Sequence, residues 1–424
     1  MDAGVAAEAG RPAQRPFVLA AFFEGRPTDG GSYVHKIGTL RVLRRMQGPD
    51  LSIVVVCGSR DSLKIVQQEG LRGVLQPRKG LRRLLGELSA IRAVRAHLGR
   101  SLGPRLSPVD GLLTRLNVDL AFFPVADGMA LQLYTHSYII SVLDLAHVEH
   151  PEFAEVSHHG EFERRERLYG DAMRKAIAII VDSEHGRRLV AEQYRIPLTR
   201  LFAAPFLTSR SVEQFVPDQA AAAAVRERYG LADPYIFYPA QFWAHKNHRY
   251  IVAALSIMRQ RHGWAPQAVF CGSDKGMLRP VLEYASSSGV GDLVKYCGFV
   301  PEEHLPYLYT GALALVMPTY LGPTNIPPVE ALRLGVPVCY SDLPSFREHL
   351  GDAATYVDLD NPASLADALH RIRRDGRRSC AGATDTRPAR GDDPEDAYLR
   401  VLQQIVRHFR YKTGFDVAGS VARS

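Results

Sequence analysis

The chain has no run approaching the roughly eighteen consecutive apolar residues that a membrane-crossing helix needs, and its opening, MDAGVAAEAGRPAQRP, has neither a basic start nor an apolar centre. Neither a spanning helix nor a signal peptide is therefore expected, and residues 1–16 read as a disordered tail. Cysteine is scarce: Cys57, Cys271, Cys297, Cys339 and Cys380 show no CxxC spacing, and four of the five lie in or beside apolar runs. That pattern favours buried free thiols in a reducing cytoplasm over a disulfide framework or a zinc site. No GxGxxG follows an apolar run, which removes the dinucleotide fingerprint, and no GxSxG surrounds Ser183, which removes a nucleophile elbow. Ser183 reads instead as a helix N-cap followed by Glu184. Acidic residues are nearly missing from residues 71–105, where nine basic side chains face Glu87 alone. The net charge of +7 thus belongs to one segment. That segment also lacks aromatic residues, so no nucleic-acid partner is expected.

What is present is enough apolar residue, 46% of 424, for two sizeable cores. Near-continuous apolar runs at FVLAAFF (17–23), LSIVVVCG (51–58), VDLAFFP (118–124), YIISVLD (138–144) and AIAIIVD (176–182) alternate with polar or amphipathic stretches. These read as buried parallel strands joined by helices. The polar, alanine-rich stretch 208–232 has no strand signal and reads as a linker. A second strand–loop–helix series starts with YIFYPAQFWAHKNH at 235 and continues through QAVFCG (267–272), LVKYCG (293–298), ALALVM (312–317) and VPVCY (336–340). The expected organisation is an α/β protein with a first Rossmann-like domain at 17–207, a second at 233–372, an irregular connection at 373–397 and a last helix with tail at 398–424.

Within the basic segment, Leu81, Leu84, Leu85, Leu88, Ile91, Val94 and Leu98 recur at helical spacing. Two readings fit: docking of a basic amphipathic helix on an anionic membrane surface, or an apolar stripe packed on the sheet with solvated arginines. Asp358-Leu359-Asp360 precedes Asn361-Pro362 and reads as a loop leading into a helix N-cap, not as a metal–diphosphate motif. His147 and His150 have no third ligand at a characteristic spacing, so they read as solvated loop histidines and no metal is expected.

The densest stretch is PTYLGPTNIPPVEALRLGVPVCYS, Pro318–Ser341. A buried strand leads into a Gly/Pro/Asn loop, then Pro328-Val329-Glu330 reads as the first turn of a short helix ended by Gly335. In open parallel sheets such a loop and helix start lie at the carboxyl edge, where ligands bind. Free N–H groups there suit a phosphate, and a carboxylate suits sugar hydroxyls.

The order Gly-Pro-Thr-Asn-Ile-Pro-Pro-Val-Glu-Ala followed by Gly-Val-Pro-Val resembles the donor-site motif of retaining GT-B glycosyltransferases of family 4, also called group 1. The likeness extends over roughly residues 17–370. The resemblance implies two Rossmann-like domains facing a central cleft, with the last helix crossing back to the first domain. It implies that Glu330 binds the nucleotide ribose and that Thr324, Asn325 and Ile326 face the donor phosphates and sugar. Lys246 in QFWAHKNH would lie against the donor diphosphate, with Gln241 where the family often has arginine, and Phe299 and Val300 would border the base. Gly30 and Gly31 match the loop beside the donor phosphate and acceptor cleft. Asp144 matches an acceptor-side aspartate, with Leu143 in place of the usual preceding histidine. Gly322 occupies the first of two positions at which the family commonly carries glutamates.

The implied activity is metal-independent, retaining transfer of a hexose, mannose from GDP-mannose being one donor, to a hydroxyl of a lipid-linked or polysaccharide acceptor in bacterial surface-polysaccharide assembly. Lys246, Glu330 and Asp144 would be the catalytic residues and no separate cofactor would be needed. Such a protein would be cytoplasmic, peripheral on the inner face of the plasma membrane. The departures at Gly322, Gln241 and Leu143 keep open a weakly active scaffold on the same fold, and a nucleotide-sugar epimerase is the other alternative.

Overall fold

The computed structural model describes residues 15–76, 80–91, 107–322, 325–376 and 393–415. Thirteen strands form two entirely parallel sheets among these residues. The first has the order β3-β2-β1-β4-β5-β6-β7 and contains β1 (Phe17–Phe23), β2 (Leu51–Cys57), β3 (Arg72–Leu75), β4 (Leu120–Phe123), β5 (Tyr138–Ser141), β6 (Ala178–Val181) and β7 (Leu201–Ala203). The second has the order β10-β9-β8-β11-β12-β13 and contains β8 (Tyr235–Pro239), β9 (Gln267–Cys271), β10 (Val294–Tyr296), β11 (Ala314–Met317), β12 (Val338–Ser341) and β13 (Thr355–Val357). Each order reverses direction once, between β1 and β4 and between β8 and β11, which leaves a crevice at the carboxyl ends of those strands.

Helices on both faces explain why the central strands are apolar at every position and do not alternate. Residues of β1 pointing one way (Phe17, Leu19, Ala21, Phe23) and the other (Ala20, Phe22) enter two separate buried clusters. β8 and β11 lie in one continuous core of the second domain. The short strands β3 and β7 were not expected from sequence. β3 is only partly buried, and both sit at sheet edges, where one neighbour suffices and a long apolar run is not required.

Residues 208–232 depart from the expected linker. They hold helices at Arg210–Glu213 and Gln219–Tyr229, and Val212, Val225 and Tyr229 belong to the core of the second domain. Alanine there is helix-forming surface, not a spacer. The last helix runs Pro394–Lys412, beginning before residue 398. Its Tyr398, Leu402, Ile405 and Val406 join the first domain's core, and Glu395 pairs with Arg41. Of the segment read as a tail, Arg15 is described and pairs with Asp119.

Candidate active site in the cleft between the domains

The first domain's contribution begins after β1. Gly30 has φ +69° and ψ −138°, a conformation that disfavours a side chain, and Gly31 starts the helix Gly31–Met46. A Cβ on Gly30 would meet the Gln241 amide at 3.5 Å, and one on Gly31 would meet Ile326 Cδ1 at 3.6 Å. The paired glycines thus let the two domains approach closely. The Gln241 Nε2 group donates to the carbonyl of Thr28 across 2.7 Å, so the residue standing where a cation was expected ties the domains together.

Lys246 ends a short 3-10 turn, Ala244–Lys246, and the chain turns back through Asn247 at φ +54°. Its carbonyl accepts from Tyr238 Oη at 2.8 Å, while its ammonium donates to Asn325 Oδ1 at 3.1 Å. Burial lowers the ammonium's pKa to about 8, opposed by the negative charge of Asp144 across the cleft. Asn325 is held on its other side: Nδ2 donates to Gly322 O at 3.0 Å and to Tyr340 Oη at 2.8 Å. Gly322 has φ +101°, and a Cβ there would approach Asn325 Oδ1 to 2.8 Å. Glycine at this position therefore gives Asn325 its place.

The helix carrying Glu330 runs Ile326–Arg333, beginning two residues before the expected Pro328. Glu330 is consequently beyond the first turn, a correction to the sequence reading. Pro327 and Pro328 occupy early positions that lack N–H groups, so Ile326 and Val329 are the donors left to this helix end. Phosphate recognition through this helix is narrower than the sequence implied, and more of it falls to Lys246. Glu330 is 4% exposed. Its Oε1 accepts from the backbone N–H of Ser209 at 3.1 Å and its Oε2 from Tyr309 Oη at 2.8 Å. Burial, added to by the charges of Glu302 and Glu213, raises its pKa to about 7 despite those two bonds. Ser209, Tyr309 and Glu302, which also bonds the Ser209 hydroxyl, carried no sequence signal.

Asp144 follows β5 and accepts from the Ala146 N–H at 3.0 Å and from Arg165 at 2.9 Å. It lines a cavity of about 130 Å³ with His150, His185, Tyr320, Gly322 and Phe346, drawn from both domains. His147 corrects the reading of a solvated loop histidine. It is fully buried on the turn Ala146–Glu149, with Nε2 3.0 Å from Glu166 Oε1. His150 is part-exposed and pairs with Glu152. Ser183 accepts from the Gly186 N–H as an N-cap, and Asn361 caps the helix that follows Asp358 and Asp360. Val300 is buried and Phe299 is 57% exposed, beside Gly298, whose carbonyl accepts from Gly272 N–H. Thr324 lies outside the described residues. Among the described residues no group of three or more His, Cys, Asp or Glu side chains could hold a metal ion.

Of the stripe on the basic segment, Leu84, Leu88 and Ile91 are exposed and line a cavity of about 970 Å³ with Val109, Leu131 and Leu168. The helix described there spans Gly80–Ser89; Arg78, Lys79 and residues 92–106 lie outside the described residues. No helix among the described residues is long and apolar enough to cross a membrane.

Two doubly wound sheets with facing carboxyl edges, a close-approach glycine loop on one side and a lysine–asparagine–glutamate group on the other, constitute the GT-B fold. Residues 224–383 match the family described as Glycosyl transferases group 1. The chain is similar to O-antigen chain mannosyltransferase B of Escherichia coli, at 27% identity over 51% of this chain and 57% of that protein. It is also similar to O-antigen chain mannosyltransferase RfbU of Salmonella typhimurium, at 30% identity over 31% of this chain and 36% of that protein. The match therefore spans little more than half the length of the first relative and about a third of the second. Among solved structures, Anabaena HepE in complex with UDP-glucose superposes over 93% of this chain and 99% of its own, with TM-score 0.66 and 13% identity. Sucrose-phosphate synthase of Thermosynechococcus elongatus does so over 95% and 100%, with TM-score 0.63 and 15% identity. These two likenesses concern the fold.

Proposed function

We propose that the protein is a retaining, metal-independent glycosyltransferase that moves a hexose from a nucleotide-sugar to a hydroxyl of a lipid-linked or polysaccharide acceptor. The observation that carries this reading is the bond from Lys246 to Asn325, which sets a single ammonium at the start of the helix bearing the buried carboxylate of Glu330. Cleavage of a sugar–phosphate bond leaves negative charge on the departing diphosphate, and a preorganised ammonium in a closed cleft stabilises it. The leaving phosphate oxygen would take the acceptor hydroxyl's proton as the new glycosidic bond forms on the face it vacates. Glu330 would accept hydrogen bonds from the ribose hydroxyls. The two relatives named for O-antigen mannosyl transfer favour mannose, and GDP-mannose, as the donor. Exposed Leu84, Leu88 and Ile91 beside the basic residues of 71–105 favour a peripheral position on the inner face of the membrane, close to a lipid-linked acceptor.

A second reading, a weakly active scaffold, draws on Gln241, whose amide already bonds Thr28 where a second cation would assist the leaving group. One experiment separates the two. Thermal shifts with GDP, UDP, ADP and dTDP and their sugars are measured on the wild type and Glu330→Ala, then turnover with the donor that binds. A ligand that binds only the folded state raises the midpoint. A shift for one nucleotide series that Glu330→Ala loses, followed by transfer, is the expected result. No shift with any nucleotide at millimolar concentration overturns the donor site, and binding without turnover favours the scaffold.

A further inference from the structure

The acceptor side of the cleft holds a second polar cavity that the donor chemistry does not use. It lies outside the carboxyl ends of β1, β2, β3 and β4, at the point where the first sheet reverses direction. Phe22, Glu24, Gly58, Gln76, Asp127 and Lys36 are among its walls, and its space is about 70 Å³. Each ordered water needs roughly 10–15 Å³ on this measure, so the cavity admits the hydroxyl-bearing edge of one sugar ring and not a nucleotide.

Glu24 is the residue this cavity is built around. Its Oε2 is buried and has no hydrogen-bond partner among the described residues. A Cβ on Gly58 would come within 2.6 Å of that oxygen, so glycine is what gives the carboxylate its position. Lys36 Nζ is tied to the carbonyl of Glu24 at 2.8 Å, and Asp127 Oδ1 to the Met129 N–H at 2.8 Å. An ionised carboxylate only accepts, and leaving a buried acceptor unsatisfied is costly, so the group that fits must donate. Among the described residues the cavity's walls hold two carboxylates against one ammonium, which disfavours a phosphate. A neutral polyol meets both requirements, since each hydroxyl donates a charge-assisted bond. The same loop that starts at Glu24 ends at Gly30 and Gly31, against Gln241 and Ile326, so a ligand here shares one loop with the donor side of the cleft.

We propose that this cavity binds the terminal glycosyl unit of the acceptor, and that Glu24 is a specificity-determining residue which recognises its hydroxyls. The inference rests on the transferase reading for the word acceptor, but binding of a sugar there does not.

The test uses ligand-detected NMR with methyl α-mannopyranoside, methyl α-glucopyranoside and methyl α-galactopyranoside at millimolar concentration, alongside the nucleotide thermal shifts. The variants are Glu24→Gln, which removes the charge, and Gly58→Ala, which crowds the carboxylate without touching its chemistry. We expect one glycoside to bind the wild type, both variants to weaken it at least tenfold, and both to keep the full nucleotide shift, which also reports that they fold. Wild-type glycoside affinity in Glu24→Gln, competition by inorganic phosphate, or no glycoside binding at all would overturn the proposal. Glu24-dependent glycoside binding with no nucleotide response would leave the sugar site standing and remove the transferase reading. A nucleotide response with turnover but no Glu24 dependence would do the reverse.

Discussion

Oε1 of Glu155, in the first domain, accepts from both the backbone N–H and Nδ1 of His245, the residue before Lys246, at 3.2 and 2.7 Å. Both side chains are largely buried, at 9% and 13% exposure. Around them Phe153 and Val156 of one domain meet Tyr320 and Leu321 of the other. The lysine loop is therefore positioned from across the cleft. The bonds to His245 hold the Glu155 carboxyl below its ordinary range, against burial that raises it.

Glu155→Ala is expected to reduce kcat about tenfold or more while weakening donor binding less, because it frees the loop that aims Lys246 without removing a ligand contact. A buried histidine left without its partner costs about 1–3 kcal/mol of stability. Steady-state kinetics and denaturant unfolding check both. A variant with unchanged kcat would show that the pair serves only cohesion. The carboxylate's share of this stabilisation is complete above its unfolded value of 4.5 and is lost as pH falls through the lower folded value, while His245, whose pKa burial lowers, makes the pair's contribution decline already as pH falls below the ordinary imidazole value of 6.5.

Lys246→Ala should lower turnover by about 10²–10³-fold, the usual effect of removing one preorganised group at a developing anion. Stability should not fall with it, since burying this ammonium opposes folding at neutral pH, as its depressed pKa shows. In the free enzyme kcat/KM should decline as pH rises through about 8, where the ammonium loses its proton. Lys246→Arg should move that decline upward even if its maximum is lower. A pH profile flat to 10 in the wild type would remove the role assigned to this lysine.

Glu330 gives the opposite sign. Its folded pKa of about 7 lies above the usual 4.5, so between those values the folded state keeps a proton that the unfolded state has lost. Stability from this group therefore falls as pH rises from 4.5 to 7, by an amount on the order of 3 kcal/mol. Glu330→Gln should raise the unfolding midpoint at pH 8 and match the wild type near pH 4.5, while losing nucleotide binding. Calorimetry at the two pH values checks it. Equal midpoints at pH 8 would show that the carboxylate is satisfied where it lies. A stability gain paired with lost function marks a side chain kept for its ligand.

Much of this was legible because apolar periodicity and turn chemistry are local properties. FVLAAFF and ALALVM read as buried strands since both faces of a parallel sheet are covered, and both formed as such. The residues gathered around the cleft, Gly30, Gly31, Gln241, Lys246, Asn325, Ile326 and Glu330, could be named because the loops and helix starts that follow the strands carry the motifs that resemble the family's donor site. Environment was the illegible part. Nothing in the sequence near Glu330 says that Tyr309 and Ser209 will bury it, since those contacts join segments 21 and 121 residues away. Burial of His147 was missed for the same reason: Glu166 and Tyr194 reach it from helices that come later in the chain. The helix starts at Ile326 and not at Pro328 because proline is tolerated within the first turn, where its missing N–H would have no helical partner, and Pro327 and Pro328 are the second and third residues of that turn.

Gly322 offers the sharpest test of how the chain's departures from the family pattern act. If the missing glutamate were a simple loss, Gly322→Glu would restore activity. The backbone argues otherwise: φ is +101°, where a side chain strains the chain by about 1–3 kcal/mol, and the new Cβ would press on Asn325 at 2.8 Å. Asn325 is the partner that holds Lys246, so displacing it should move the ammonium off the diphosphate. Gly322→Glu is therefore expected to be less stable and to lose turnover by tenfold or more. Asn325→Ala should lose turnover similarly while leaving Gly322 unstrained and stability less affected. Activity in Gly322→Glu above the wild type would mean that the loop relaxes and that the lysine does not depend on Asn325 for its position.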